Sequence, residues 1–233
     1  MLLLLLSCLV TMEVDKDKTL VSFENKSLPS CNQKYNTGNR TSVRIQFDLK
    51  GHIGGWGSGN YLKIGKYKFI LTAAHVVSDG DIYILDGEDK IPAKVLYKNT
   101  LKDIAILQPE ADISVEARSI KINNKSNILG DVVNYTGYPS NIGKSTYTGF
   151  VSSSDKDKVI IQSFALPGSS GSVVFDRKGR LVGVVSAVSV NQTPLSPFPE
   201  LIETIVFVER VGFLDKEFLR EVFMNAKENK RRE

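Results

Sequence analysis

Three side chains of this chain could together carry out a nucleophilic attack. Ser170 lies in Ala165-Leu166-Pro167-Gly168-Ser169-Ser170-Gly171-Ser172-Val173-Val174-Phe175, where a small, polar, glycine-punctuated turn runs straight into a β-branched apolar stretch. That is the pattern of a tight loop feeding a buried strand. Gly168 and Gly171 bracket Ser170 and let the backbone bend where a side chain would clash. Such a bend can hold a hydroxyl outward while it turns neighbouring N–H groups toward one point. A nucleophilic serine needs this, because the oxyanion of the tetrahedral intermediate must meet fixed donors. A base must also take the hydroxyl proton, and the chain has two histidines, His52 and His75. His75 follows Thr72-Ala73-Ala74, small residues against which an imidazole can pack. His52, in Lys50-Gly51-His52-Ile53-Gly54, has no such setting and reads as a surface loop residue. Asp103 stands at the mouth of the apolar run Ile104-Ala105-Ile106-Leu107, an acid able to orient the base. Taken singly, each is an ordinary turn or core feature. Their joint occurrence points to chemistry.

The elements that must bring them together read mostly as strands. Residues 42–49 alternate polar and apolar, the mark of a half-buried strand. The run over 54–59 reads as a flexible turn carrying the only tryptophan, Trp56, which is expected, with Phe47, in the core. Residues 61–64 and 68–71 read as a hairpin across Gly65-Lys66. Further strands are expected over 81–85, 91–97 and 104–107, then a polar crossover over 109–121. A second β series starts near Ile128 and ends at 204–208, with a loop at Pro194, Pro197 and Pro199. Beyond it Phe218, Leu219, Val222 and Phe223 recur at helical spacing, with Asp215 as cap. The division that follows is 1–12 leader, 13–39 polar arm, 40–116 and 117–212 β domains, and 213–233 helix and charged tail.

Composition narrows the functions. With 233 residues and 42% apolar content the chain can bury real cores. Its net charge of +4 is spread among interleaved acids, which argues against a nucleic-acid partner. The two cysteines, Cys8 and Cys31, both precede the part that looks folded. No Cys/His cluster has metal-site spacing, so no metal and no cofactor are expected. Residues 1–12 are apolar, too short to span a membrane and of the length of a signal-peptide core. Leu5-Leu6-Ser7-Cys8 resembles a bacterial lipobox, and lipidation of Cys8 is the route by which this chain would reach a membrane. If the run is a leader, the protein is exported to the cell envelope or beyond it; if not, it stays in the cytoplasm.

The order His75, Asp103, Ser170 is that of the chymotrypsin architecture, not of subtilisin or the α/β-hydrolases. The sequence resembles a trypsin-like, chymotrypsin-fold serine protease, closest to the bacterial high-temperature-requirement and glutamyl-endopeptidase type, without a PDZ domain. Leu71-Thr72-Ala73-Ala74-His75-Val76-Val77, Lys102-Asp103-Ile104-Ala105-Ile106-Leu107 and Pro167-Gly168-Ser169-Ser170-Gly171-Ser172 carry the resemblance, which covers about residues 42–211. It implies an all-β fold of two packed six-stranded antiparallel barrels with a C-terminal α-helix. It implies a serine endopeptidase acting on protein or peptide substrates, with Ser170 as nucleophile, His75 as base, Asp103 orienting it, and the N–H groups of Gly168 and Ser170 as oxyanion hole. Ser169 is the rival hydroxyl, at a position the family gives to a non-nucleophilic residue. Ser186, Ala187 and Val188 would line the substrate cleft and Phe164 would lie near the pocket base. No acid appears at that base, so cleavage after small or medium apolar residues is expected. The competing expectation is a catalytically silent peptide-binding relative.

Overall fold

The computed structural model describes residues 36–77, 80–139, 142–191 and 200–229. The leader over 1–12, Cys8, Cys31, the polar arm up to residue 35, the Pro194–Pro199 loop and the charged end beyond 229 lie outside the described residues.

The first barrel is made of β1 (Ser42–Leu49), β2 (His52–Ile64), β3 (Tyr67–Thr72), β4 (Asp81–Asp86), β5 (Asp89–Asn99) and β6 (Ile104–Pro109). They pair antiparallel in the order β1-β4-β5-β6-β3-β2, and β2 returns to β1 to close the ring. A two-residue strand, β7 (Arg118–Ser119), adds to β2 in parallel. The second barrel closes as β10-β13-β12-β11-β8-β9, from β8 (Val132–Gly137), β9 (Ser145–Ser154), β10 (Lys158–Gln162), β11 (Val173–Asp176), β12 (Leu181–Asn191) and β13 (Glu200–Arg210). The two six-stranded barrels and the C-terminal helix, α2 (Lys216–Asn229), are the architecture expected from the sequence. A short helix, α1 (Asn36–Thr41), was not expected; order therefore begins before Thr41. Among the described residues no helix is long and apolar enough to cross a membrane.

The 54–59 stretch is not a turn. It is the body of β2, paired with β1 from Ser42↔Asn60 to Leu49↔His52. Its glycines are there because neighbouring side chains lie across the strand. A Cβ on Gly54 would come within 2.5 Å of the Phe47 ring, and one on Gly59 within 2.8 Å of Ile45. Trp56 is not core either: it is 41% exposed, with the Arg44 guanidinium 5.4 Å from its ring centroid. Phe47 is half-buried against the first core.

The hairpin between β2 and β3 turns at Gly65-Lys66, where Gly65 has φ 61. β3 and β6 supply much of the first core, with Phe69, Ile70, Leu71 and Ile104 through Leu107 fully buried. Each large aliphatic side chain so placed stabilises the fold by about 2 kcal/mol. That core is not closed by its own strands. Val173, Phe175, Leu181 and Val184 of β11 and β12 belong to it, as do Val211, Leu214 and Leu219. α2 starts where Asp215 Oδ1 accepts the N–H groups of Glu217 and Phe218 at 2.9 and 2.8 Å, a cap of the expected kind. It then lays its apolar face on the first barrel, Phe218 edge-on to Tyr97 and Phe223 tilted on Tyr67, both at 5.1 Å.

Two buried polar groups fix the crossover between barrels. The Arg210 guanidinium donates to the carbonyls of Asn123, Lys125, Ser126 and Asp155 at 2.5–3.3 Å. Asp176 accepts from Asn123 Nδ2 at 3.0 Å and from Arg180 Nε at 2.7 Å.

Candidate active site

His75 leaves β3 on a single 3-10 turn, Ala74–Val76. Ala73, Ala74 and Val76 are buried, so the backbone packs tightly and the imidazole is the group left outside, with 48% of its side chain exposed. Asp103 occupies the turn between β5 and β6 at φ 46, a left-handed conformation that aspartate tolerates better than most residues. Asp103 is thus a turn residue, and the same turn aims its carboxylate at His75. Its Oδ1 accepts the His75 backbone N–H at 2.9 Å, and its Oδ2 lies 2.8 Å from His75 Nδ1. One carboxylate thus grips the histidine by ring and backbone. Ser186 Oγ donates to the same Oδ2 at 2.5 Å.

Burial works to raise the Asp103 pKa, but the hydrogen bonds from the His75 ring, the Ser186 hydroxyl and the His75 backbone N–H outweigh it and hold the carboxyl below its ordinary 3.8. An ionised carboxylate only accepts, so Nδ1 carries a proton, and in the neutral imidazole Nε2 is then the nitrogen left to accept.

The serine loop is a chain of small hydrogen-bonded turns. Ser169 N–H donates to Leu166 O at 2.9 Å. With Pro167 second, and Gly168 third at φ 93, Leu166–Ser169 is a type II turn. Gly171 N–H donates to Val185 O at 2.8 Å and Ser172 N–H to Ser169 O at 3.1 Å. Among the described residues the N–H groups of Gly168 and Ser170 make no such bond. The loop's serines also separate. Ser169 is 1% exposed and its hydroxyl accepts the Leu166 N–H at 3.3 Å, and Ser172 is fully buried. Ser170 is the one that reaches solvent, at intermediate burial.

Two routes tie this loop to the histidine. Ser58 N–H donates to Ser170 O at 2.8 Å. A Cβ on the preceding Gly57 would meet Val76 Cγ2 at 2.6 Å and Ser170 O at 3.1 Å, so the residue after His75 and the backbone of Ser170 share the space beside one glycine. On the other side Gly171 and Ser172 bond to Val185, and the next residue, Ser186, holds Asp103.

Gly171, at φ 85, lies so close to β2 and β3 that a Cβ would come within 2.0 Å of Ser58 O and 2.2 Å of Thr72 Oγ1. Gly171→Ala is expected to cost about 3 kcal/mol from strain and overlap together, read as a fall of roughly 10 °C in thermal midpoint. A midpoint within 2 °C of the parent's, on the same scale, contradicts this.

The residues expected in the cleft are placed unevenly. Ala187 is exposed and Val188 is half-buried against the second barrel's core. Ser186 gives its hydroxyl proton to Asp103, a role the sequence did not signal. Phe164, expected near the pocket base, is 41% exposed, its ring centroid 5.8 Å from that of Tyr147. Two buried polar residues of β2 escaped sequence reasoning. Asn60 donates to Gly38 O and Thr41 Oγ1 and accepts from Val173 N–H. Ser58 meets Thr72, Tyr138 and the serine loop. The signal was two polar residues in line with the apolar Leu62 of the same strand. Among the described residues no group of three or more His, Cys, Asp or Glu could hold a metal ion.

A family model for the trypsin-like peptidase domain matches residues 57–184. The chain is similar to "Serine protease HtrA-like" of Staphylococcus aureus strain USA300, 31% identical over 181 residues, which cover 66% of this chain and 23% of that protein. It is 28% identical over 147 residues to the protein of the same name from Staphylococcus epidermidis strain ATCC 12228, covering 54% of this chain and 25% of that one. The chain thus spans about a quarter of the length of the curated relatives it matches. Among solved structures, the active form of the Rv3671c protease from M. tuberculosis matches with a TM-score of 0.63 at 18% identity, covering 79% of this chain and 82% of that one. The serine endoprotease from Yersinia pestis matches at 0.60 and 24% identity, covering 83% and 68%. At these identities the structural likeness is one of fold.

Proposed function

Since the chain belongs to the trypsin-like peptidase family, we propose that it cleaves peptide bonds with Ser170, His75 and Asp103. Ser170 Oγ attacks the carbonyl carbon while His75 Nε2 takes its proton; the acyl-enzyme forms as the imidazolium returns that proton to the leaving amine. Water then attacks in the same way, and the acid product leaves. Asp103 keeps the ring in the tautomer with Nε2 free and stabilises the imidazolium. The N–H groups of Gly168 and Ser170 receive the oxyanion, a contribution of about 3 kcal/mol per donor in comparable sites.

The observation that carries this reading is the double hold of Asp103 on His75, through Nδ1 at 2.8 Å and the backbone N–H at 2.9 Å. A merely structural aspartate needs only one of these. A fluorophosphonate probe is expected to label the protein at one site and to lose it in Ser170→Ala. A folded parent that takes no label instead supports the silent peptide-binding relative.

For specificity we propose small or medium apolar residues before the scissile bond. Val188, half-buried where the cleft is expected, supports a pocket of limited depth. A peptide-library profile dominated by Arg, Lys or Glu removes this part and leaves the mechanism standing.

A further inference from the structure

We propose that Ser58 is a positioning residue for the oxyanion hole, an inference that rests on the catalytic reading above. The N–H groups of Gly168 and Ser170 belong to the peptides 167–168 and 169–170. The peptides that alternate with them, 168–169 and 170–171, are each hydrogen-bonded at both ends. In the first, Gly168 O accepts from Ser58 Oγ at 2.7 Å and Ser169 N–H donates to Leu166 O at 2.9 Å. In the second, Ser170 O accepts from Ser58 N–H at 2.8 Å and Gly171 N–H donates to Val185 O at 2.8 Å. Ser58 is the shared anchor, by its hydroxyl for one and its backbone for the other.

The hydroxyl is itself aimed. Ser58 is fully buried, and its oxygen accepts the Tyr138 N–H at 2.8 Å. A hydroxyl has one proton to give, and it goes to Gly168 O. The residue therefore joins three parts of the molecule at one atom: β2 of the first barrel, the end of β8 in the second, and the serine loop. Thr72 Oγ1 donates to Ser58 O at 2.7 Å and holds the Ser58 backbone from the far side. Without the hydroxyl, the part-buried Gly168 O and Tyr138 N–H both lose their partner, and each gains by moving. Gly168, which has no side chain to resist rotation, is the residue that gives way, and its N–H leaves the position the oxyanion needs.

The test compares Ser58→Ala with the parent. Phosphonylation of Ser170 by a fluorophosphonate and kcat for a peptide substrate are each expected to fall about 10- to 100-fold, less than deletion of a whole oxyanion donor. KM stays within about twofold, because only the transition state uses the hole. The pH midpoint of kcat/KM stays in place, since His75 and Asp103 are untouched. Amide hydrogen exchange over residues 166–171 speeds up while that over 216–229 does not. Ser58→Cys, a weak donor of similar size, gives an intermediate loss and carries the test if the alanine variant does not fold. Labelling of Ser58→Ala at the parent's rate overturns the proposal, as does a shifted pH midpoint, which places the damage at His75. If the parent takes no label, it is the catalytic reading that has failed. The exchange measurement then decides for Ser58 alone, and unchanged exchange over 166–171 overturns its role.

Discussion

Replacing His75 by alanine is expected to lower kcat for peptide hydrolysis roughly 10⁶-fold, with KM changed by no more than about threefold. The size of the effect follows from the site having one base. His52, the other histidine, begins β2 on the exposed surface, and no second imidazole can stand in. The ring is half-exposed, so its removal opens no cavity, and the backbone N–H to Asp103 survives the substitution. Folding should therefore be little changed while catalysis collapses. Steady-state kinetics with a thermal melt on the same sample check this. A loss of less than about a hundredfold in a folded variant is too small for a unit of this kind and would take His75 out of the mechanism.

Asp103→Asn is expected to lower kcat about 10⁴-fold at neutral pH. Asp103 is an acceptor at both oxygens, toward His75 N–H at Oδ1 and toward His75 Nδ1 and Ser186 Oγ at Oδ2. An asparagine that keeps its oxygen on the backbone N–H must turn its NH₂ toward Nδ1. Nδ1 then has to accept, the ring proton moves to Nε2, and the atom that should take the Ser170 proton already carries one. The same substitution has a signature in stability. The folded Asp103 carboxyl sits below its ordinary 3.8, so its contribution is fully present above that pH and is lost as the pH falls through the lower folded value. Asp48 and Asp155 are lowered as well, but they are common to both proteins and cancel in the difference. The part of the gap in thermal midpoint that comes from the carboxylate should therefore shrink as the pH falls below about 3.8. A gap that widens as the pH falls below 3.8 contradicts the geometry described for this carboxylate.

Much of this site was legible in sequence because its parts carry local signals. A glycine-bracketed serine ahead of Val173-Val174-Phe175, a histidine after two alanines and an aspartate before Ile104 each mark a strand end, and strand ends are where side chains are aimed. The misreadings came from contacts between segments far apart in the chain. Gly54 through Gly59 look like a turn in one dimension. They form a strand because Phe47, Ile45 and Val76 fill the space where side chains would be. Trp56 looks like core by its size, yet its strand turns it toward Arg44 and solvent. That Ser186 also braces Asp103 could not be read locally either, because its partner is remote in sequence. Nothing local to Ser58 or Asn60 announces that each joins several segments, since their partners lie as far off as Gly168 and Val173.

The floor of the first barrel has a consequence for the order in which the protein is made. Leu219 of α2 and Val184 of β12 complete the packing around strands that a ribosome delivers long before them. A chain ending at β7 lacks Leu219 and Val184 of that core, Ser186 to brace Asp103, and the whole serine loop. On the mechanism proposed above, hydrolysis is expected only from chains that extend past β12, which carries Ser186, and not from one terminated at β7.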